Sequence, residues 1–77
     1  MDKFSRDTLQ KTMQFLSLKG YKVITEFALP NKKRVDIIAL NLKKEILIIE
    51  VKSNTRDIKL DKKWKNYLKY CNYFYFA

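Results

Sequence analysis

Residues 45–52 constrain the fold of this 77-residue chain more than any other segment. Alternate residues of a strand point to opposite faces. Here Ile46 and Ile48 share one face, and Leu47 and Ile49 share the other. A strand that is apolar on both faces is typical of a central strand covered on both sides. The pattern therefore predicts an α/β domain whose sheet has this segment near its middle.

The periodicity of the other segments predicts the element order. Apolar residues at helical spacing predict a first helix over residues 5–19, which ends at the only glycine. Alternation and turn residues predict strands over residues 22–29, 34–40, 45–52 and 72–77. A connecting loop is expected over residues 53–60 and a second helix over residues 61–71. The order α-β-β-β-α-β, with no linker or repeat, indicates one small domain over residues 1–77.

The composition narrows the function classes. Seventeen Lys and Arg residues against eight Asp and Glu residues give a net charge of +9, which favours a polyanionic partner, unless the lysines reflect coding bias. The absence of histidine excludes histidine bases and histidine metal ligands. The single cysteine excludes an internal disulfide and fits a reducing, cytoplasmic environment. No signal peptide is visible, and the longest apolar run is too short to span a bilayer.

Charged side chains interrupt two of the apolar strands. Asp36 lies within the second strand, and Glu50 and Lys52 end the third. If Asn41 pairs with Glu45 across a three-residue turn, Asp36 lies opposite Glu50 on the same face. A turn of two or four residues would put the carboxylates on opposite faces. A shared site therefore requires an odd-numbered turn or a bulge.

Two carboxylates beside a lysine suit a hard divalent cation. Mg²⁺ (or Mn²⁺) accepts one or two carboxylates together with water and phosphate oxygens. Such a cation acidifies a bound water and neutralises the charge that develops on a phosphodiester. Lys52 would orient that water or stabilise the pentavalent phosphorus. The alternative is a purely structural pair of Glu50 and Lys52 at a solvated strand end.

The pattern Asp36…Glu50-Val51-Lys52, in this element order, resembles the PD-(D/E)xK nuclease superfamily with its restriction-endonuclease-like fold. The chain is also similar to the MmcB-like DNA repair family in three stretches, which lie within residues 26–36, 49–53 and 57–77. Members of that family continue past the strand that ends here at Ala77. The resemblance therefore implies a minimal or truncated domain with a mixed four-stranded sheet and helices on both faces.

The resemblance also implies roles for individual residues. Asp36 and Glu50 match the metal-binding acids, the carbonyl of Val51 completes the metal shell, and Lys52 matches the catalytic lysine. Glu26 matches an accessory acid of some members, or is simply an exposed strand residue.

The predicted second helix and the turns supply further candidates. Lys63 stands where many members have a glutamine, four residues before Tyr67, and core packing is the favoured role for that tyrosine. Phosphate contacts, or merely solvated charges, are expected at the basic residues Lys32, Lys33, Arg34, Lys43, Lys44 and Lys59.

Together these observations predict a Mg²⁺-dependent DNA endonuclease or repair-associated nuclease. One alternative is a DNA-binding module of the same fold that does not cleave. Another is an inactive remnant that folds by oligomerising. The aromatic last strand is expected to be covered by a second copy or a partner chain, because an exposed aromatic edge favours aggregation.

Overall fold

A mixed four-stranded sheet organises the described residues, 2–52 and 54–77, of the computed structural model. The elements in chain order are α1 (Lys3–Leu18), β1 (Lys22–Ala28), β2 (Arg34–Leu40), β3 (Ile46–Glu50), α2 (Thr55–Leu60), a 3-10 helix (Trp64–Tyr70) and β4 (Tyr73–Phe76). The sheet order is β1-β2-β3-β4, with antiparallel pairing among the first three strands and parallel pairing of β3 with β4. The predicted fold class, with its mixed sheet, is confirmed.

The turn between β2 and β3 sets the register that the site hypothesis requires. Ile37 pairs with Ile49, and the amide of Asn41 donates to the carbonyl of Glu45 at 3.2 Å. Three residues lie between that pair, and the last of them, Lys44, has a φ of 64°. This is the common three-residue hairpin, in which the final residue adopts the left-handed conformation. The expected odd-numbered turn is therefore present.

Glycine at this turn position should stabilise the protein. Lys44→Gly removes the strain that a residue with a Cβ has in the left-handed conformation. Glycine also makes the unfolded chain more flexible, which offsets part of this effect, so the free energy of unfolding should rise by about 0.5–1 kcal/mol. Lys43→Gly is the matched control, because Lys43 lies in the same turn outside the left-handed region and should lose stability. Urea unfolding measures both variants. Equal destabilisation by the two changes would contradict the turn geometry.

α1 covers one face of the sheet. Its residues Leu9, Met13 and Leu16 pack against a cluster that includes Ile37 and Ile49. The helix begins earlier than the predicted residue 5, because the side chain of Asp2 caps it by accepting the amide of Ser5 at 2.7 Å. Gly20 follows the helix with a φ of 90°, a conformation that favours glycine.

The opposite face is covered by the 3-10 helix. Tyr67 is buried there with Ile48, and both Tyr67 and Trp64 contact the ring of Phe74, with centroids 5.9 and 6.0 Å apart. The predicted α-helix over residues 61–71 was wrong in type and bounds: residues 64–70 form a 3-10 helix, which begins with the amide of Asn66 donating to the carbonyl of Lys63 at 2.9 Å. The predicted loop over residues 53–60 was also wrong, because it contains α2; Ser53 itself lies outside the described residues.

β4 forms one edge of the sheet. Tyr73 and Tyr75 on this strand are exposed, whereas Phe74 is half-buried against the 3-10 helix. Coverage of this edge by a second copy or a partner chain stays a prediction. Within residues 2–52 and 54–77, no helix is both long and apolar enough to cross a membrane.

Candidate metal and nucleic-acid site

The hairpin register brings the two predicted acids together. Asp36 and Glu50 are the next residues outward from the paired Ile37 and Ile49, so they face each other on one side of the sheet. The amide of Val51 donates to Oδ2 of Asp36 at 2.8 Å and fixes the orientation of that carboxylate. The resemblance to the PD-(D/E)xK superfamily implied the carbonyl of Val51 as a metal ligand, which stays a prediction; the amide of the same residue adds a positioning contact that the pattern did not indicate.

Glu50 is held in an unusual environment for a carboxylate. It is only 8% exposed, and its Oε1 atom has no hydrogen-bond partner among the described residues. Burial, together with a hydrogen bond to Asp36 and the charge of that residue, raises the pKa of Glu50 to about 8. Glu50 is therefore mostly protonated at pH 7 unless a cation offsets its charge.

Most of the acidic residues of this basic protein surround one cavity. Its volume is about 690 Å³, and it lies against α1, the ends of β2 and β3, and the segment after β3. Six of the eight acids line it: Asp2, Glu26, Asp36, Glu50, Asp57 and Asp61. Concentrated negative charge raises the local concentration of cations and repels phosphate that arrives without one.

The residues present fit a hard divalent cation. An orphaned buried oxygen on Glu50 and an oriented carboxylate on Asp36 provide oxygen ligands of the kind that Mg²⁺ prefers. In the part of the chain that is described, no three His, Cys, Asp or Glu side chains are grouped closely enough to hold a metal ion. A cation held by Asp36 and Glu50 would therefore take most of its ligands from water or phosphate oxygens.

The predicted catalytic lysine makes an ion pair that the sequence did not indicate. Nζ of Lys52 lies 2.6 Å from Oδ2 of Asp61, and 5.9 Å from the ring centroid of Phe76. The backbone around Lys52 is also fixed: its amide donates to the carbonyl of Ala77 at 3.0 Å, and the amide of Ala77 donates to the carbonyl of Glu50 at 2.9 Å. The end of the chain thus supports the segment that carries Glu50 and Lys52.

Asp61 is the main residue of the site that sequence reasoning missed. Burial alone would raise its pKa, but the hydrogen bond and charge of Lys52, with the amides of Lys63 and Trp64, lower the pKa overall. The available signal was an aspartate just before a helical stripe, a typical capping position. Nothing local indicated that its second oxygen would reach Lys52.

Glu26 lies on β1, next to Asp36 on β2. Its flanking residues Thr25 and Phe27 pair with Ile37 and Val35, which places Glu26 opposite Asp36 in the register. The side chain is exposed and lines the same cavity, and its φ of 51° distorts the strand at this point. The carbonyl of Glu26 accepts a hydrogen bond from the side chain of Arg34 at 2.5 Å. An accessory role for Glu26 stays a prediction.

Lys63 and Tyr67 lie on different sides of their segment because it forms a 3-10 helix and not an α-helix. Residues four apart are about 120° apart around a 3-10 helix, whereas they lie on one side of an α-helix. Lys63 lines the cavity, and Tyr67 is buried in the core. Burial raises the pKa of Tyr67, and the negative charges of Glu50, Asp61 and Asp36 raise it further. The phenol is therefore close to the acidic site, although the residue packs in the hydrophobic core.

The predicted basic contacts fall in different places. Lys32 and Lys33 lie in the β1–β2 turn and Arg34 begins β2, at the same end of the sheet as Asp36. Lys43 and Lys44 lie at the other end of the β2–β3 hairpin, roughly 20 Å from the acids by strand length. Lys59 is on α2. The cavity itself adds Lys62, which the sequence prediction did not include.

The fold and the site together define a class: an α/β domain whose mixed sheet presents two opposed carboxylates and a lysine at the end of its central strands. The profile of the family described as DNA repair protein MmcB-like matches residues 5–77. The chain therefore belongs to the MmcB-like DNA repair protein family.

One solved structure is similar to this chain in sequence and fold. The SPO1766 protein of unknown function from Silicibacter pomeroyi is 37% identical to the chain, with a TM-score of 0.71. The match covers 80% of this chain and 42% of that one, so the chain corresponds to less than half the length of that relative. Among curated proteins, none matches the chain.

Proposed function

We propose that this domain is a Mg²⁺-dependent DNA endonuclease or repair-associated nuclease of the PD-(D/E)xK type, which hydrolyses phosphodiester bonds. One observation carries the proposal: Asp36 and the buried Glu50 face each other at the rim of an acid-rich cavity, with Lys52 two residues further along the chain. Membership of a DNA repair family supports DNA as the substrate.

The two carboxylates and the carbonyl of Val51 would hold the cation. Val51 also fixes Asp36 through its amide, so that carboxylate need not reorganise when a cation binds. A bound Mg²⁺ supplies Lewis-acid stabilisation of the phosphate and an acidified water. Mn²⁺ is the expected substitute, because it prefers similar oxygen ligands.

Lys52 and the other lysines would act on the substrate. The ammonium of Lys52 is within electrostatic reach of Glu50, where its charge offsets a small part of the raised pKa, and it would stabilise negative charge on the phosphorus at the transition state. Lys62 and Lys63 line the cavity and would contact flanking phosphates, with Lys32 and Lys33 at the same end of the sheet. Backbone contacts of this kind hold DNA without reading its sequence.

The acid-rich cavity argues against the rival of a DNA-binding module that does not cleave. Six carboxylates beside three lysines would weaken binding to phosphate unless a cation bridged them. A site built only to bind DNA gains nothing from burying Glu50 without a partner for its Oε1 atom.

Metal removal tests the proposal directly. Supercoiled plasmid and branched DNA are incubated with the protein in Mg²⁺, in Mn²⁺, and with a chelator. We expect cleavage in either metal, loss of cleavage in chelator, and its return when Mg²⁺ is added back, because two carboxylates alone cannot acidify the attacking water. Gel electrophoresis measures the product. Cleavage that persists in chelator, or no cleavage in either metal, would overturn the assignment.

A further inference from the structure

Asp61 lies at the junction of α2 and the 3-10 helix, outside the set of residues that sequence patterns mark for catalysis. Its side chain is only 7% exposed, and it meets three donors. Oδ2 pairs with the ammonium of Lys52 at 2.6 Å, and Oδ1 accepts the amides of Lys63 and Trp64 at 2.6 and 3.3 Å. Both oxygens are thus engaged, each with a different part of the molecule.

This arrangement differs from an ordinary surface ion pair. The Asp61 side chain is 7% exposed and the Lys52 side chain is 24% exposed, so it is mainly the carboxylate that is withdrawn from water. Desolvating a charge is costly, and the two amides that donate to Oδ1 offset part of that cost. A free lysine samples many rotamers along its four-carbon stem. Asp61, together with the ring of Phe76 at 5.9 Å, restricts the ammonium to one place within electrostatic reach of Glu50.

We propose that Asp61 is a positioning residue, which holds the ammonium of Lys52 at the site where Asp36 and Glu50 meet. The inference rests on the proposed function for its catalytic consequence, but the position of the ammonium can be measured without activity. Restricting Lys52 before the substrate arrives lowers the ordering that the reaction requires. Because Oδ1 also accepts the amides of Lys63 and Trp64, Asp61 ties that position to the start of the 3-10 helix.

Asp61→Asn separates the two tasks of the residue. The amide oxygen of asparagine can still accept the amides of Lys63 and Trp64, whereas the charge that holds Lys52 is lost. Asp7→Asn is the matched control, since Asp7 is exposed on α1 and does not line the cavity. Urea unfolding of both variants checks that they remain folded under the conditions of the assay.

The first readout does not depend on cleavage. The lysines are acylated with an amine-reactive reagent, and site-resolved mass spectrometry measures the rate at each one. We expect Lys52 to react several-fold faster in Asp61→Asn than in the wild type or Asp7→Asn, with Lys22 on β1 unchanged. An unchanged rate at Lys52 would overturn the inference.

The second readout is kinetic. A misplaced catalytic group costs about 10²-fold in rate, so kcat should fall by that order in Asp61→Asn while the Kd for DNA stays within about twofold. Asp61→Glu should recover part of kcat because it restores the charge. Equal cleavage by Asp61→Asn and the wild type would contradict the inference. If the wild type does not cleave, the proposed function fails and the acylation rates alone decide the role of Asp61.

Discussion

Replacing Asp36 with asparagine should abolish cation-dependent cleavage of DNA. The change removes one of the two charges that would hold Mg²⁺, and a metal ion supplies several kcal/mol of transition-state stabilisation. A loss of about 4 kcal/mol corresponds to roughly a 10³-fold fall in rate. The shape of the side chain is nearly unchanged, and its oxygen can still accept the amide of Val51, so the fold should be retained.

A matched variant separates the local effect from a change in net charge. Asp7→Asn alters the charge of the protein by the same amount, at an exposed position of α1 outside the cavity. Single-turnover cleavage of plasmid DNA in Mg²⁺ compares the variants with the wild type. Asp36→Asn cleaving as fast as Asp7→Asn would show that Asp36 holds no essential cation.

DNA-binding measurements on Asp36→Asn test the alternative function, a DNA-binding module that does not cleave. In the absence of a divalent cation, Asp36→Asn should bind DNA as tightly as the wild type or more tightly, because an anion has been removed from beside the phosphates. Retained binding together with lost cleavage is the pattern that a nuclease requires. A wild-type protein that binds DNA with a steep salt dependence and never cleaves would favour the binding module.

The strand pattern of this chain could be read from its sequence because local and tertiary preferences agree. The predicted second strand, residues 34–40, matches β2 in both bounds, and the turn after it fixed the register that opposes Asp36 and Glu50. A shift of one residue would move Ile37 from the core to the other face, so burial specifies the pairing strongly. The candidate acids were therefore predictable as a pair.

The segment between β3 and β4 was harder to predict. None of the residues of α2 is buried, so the burial pattern does not mark this helix. Its local signal is Asn54 at the N-cap position, where the side chain accepts the amide of Asp57 at 2.9 Å. The 3-10 helix packs Trp64 and Tyr67 against Phe74 on β4, a tertiary contact that no local pattern specifies. The contact between Asp61 and Lys52 depends on the path of this segment, and for that reason it emerged only from the structure.

Glu50 should make the metal-free protein less stable as the pH rises from about 5 to about 8. Its pKa is about 8 in the folded protein, against an ordinary value of 4.5 that applies when it is unfolded. Between these values the folded state binds one more proton than the unfolded state, so stability is full below the lower pKa and falls until the higher one is passed. The loss is several kcal/mol at most.

Two glutamine variants isolate this effect. Glu50→Gln mimics the protonated side chain, so its unfolding free energy should be flat over that pH range and exceed that of the wild type above pH 8. Glu45→Gln is the control: hydrogen bonds from Asn41 and Tyr73 lower the pKa of Glu45, so its contribution to stability changes only in acid, outside the range of interest. Urea unfolding at intervals of pH gives the three curves.

Mg²⁺ should reverse the effect in the wild type and in Glu45→Gln, which both keep Asp36 and Glu50, but not in Glu50→Gln. A cation bound to the ionised pair takes the place of the proton on Glu50, and a ligand that binds only the folded state adds stability by mass action. Stabilisation by Mg²⁺ should therefore grow as the pH rises towards 8, and it should be absent in Glu50→Gln. A wild-type curve that is flat from pH 5 to pH 8 would show that Glu50 does not hold a proton in the folded protein. Equal stabilisation of the wild type and Glu50→Gln by Mg²⁺ would show that Glu50 is not a cation ligand. Because this measurement needs no substrate, it tests the metal site separately from the identity of the nucleic acid.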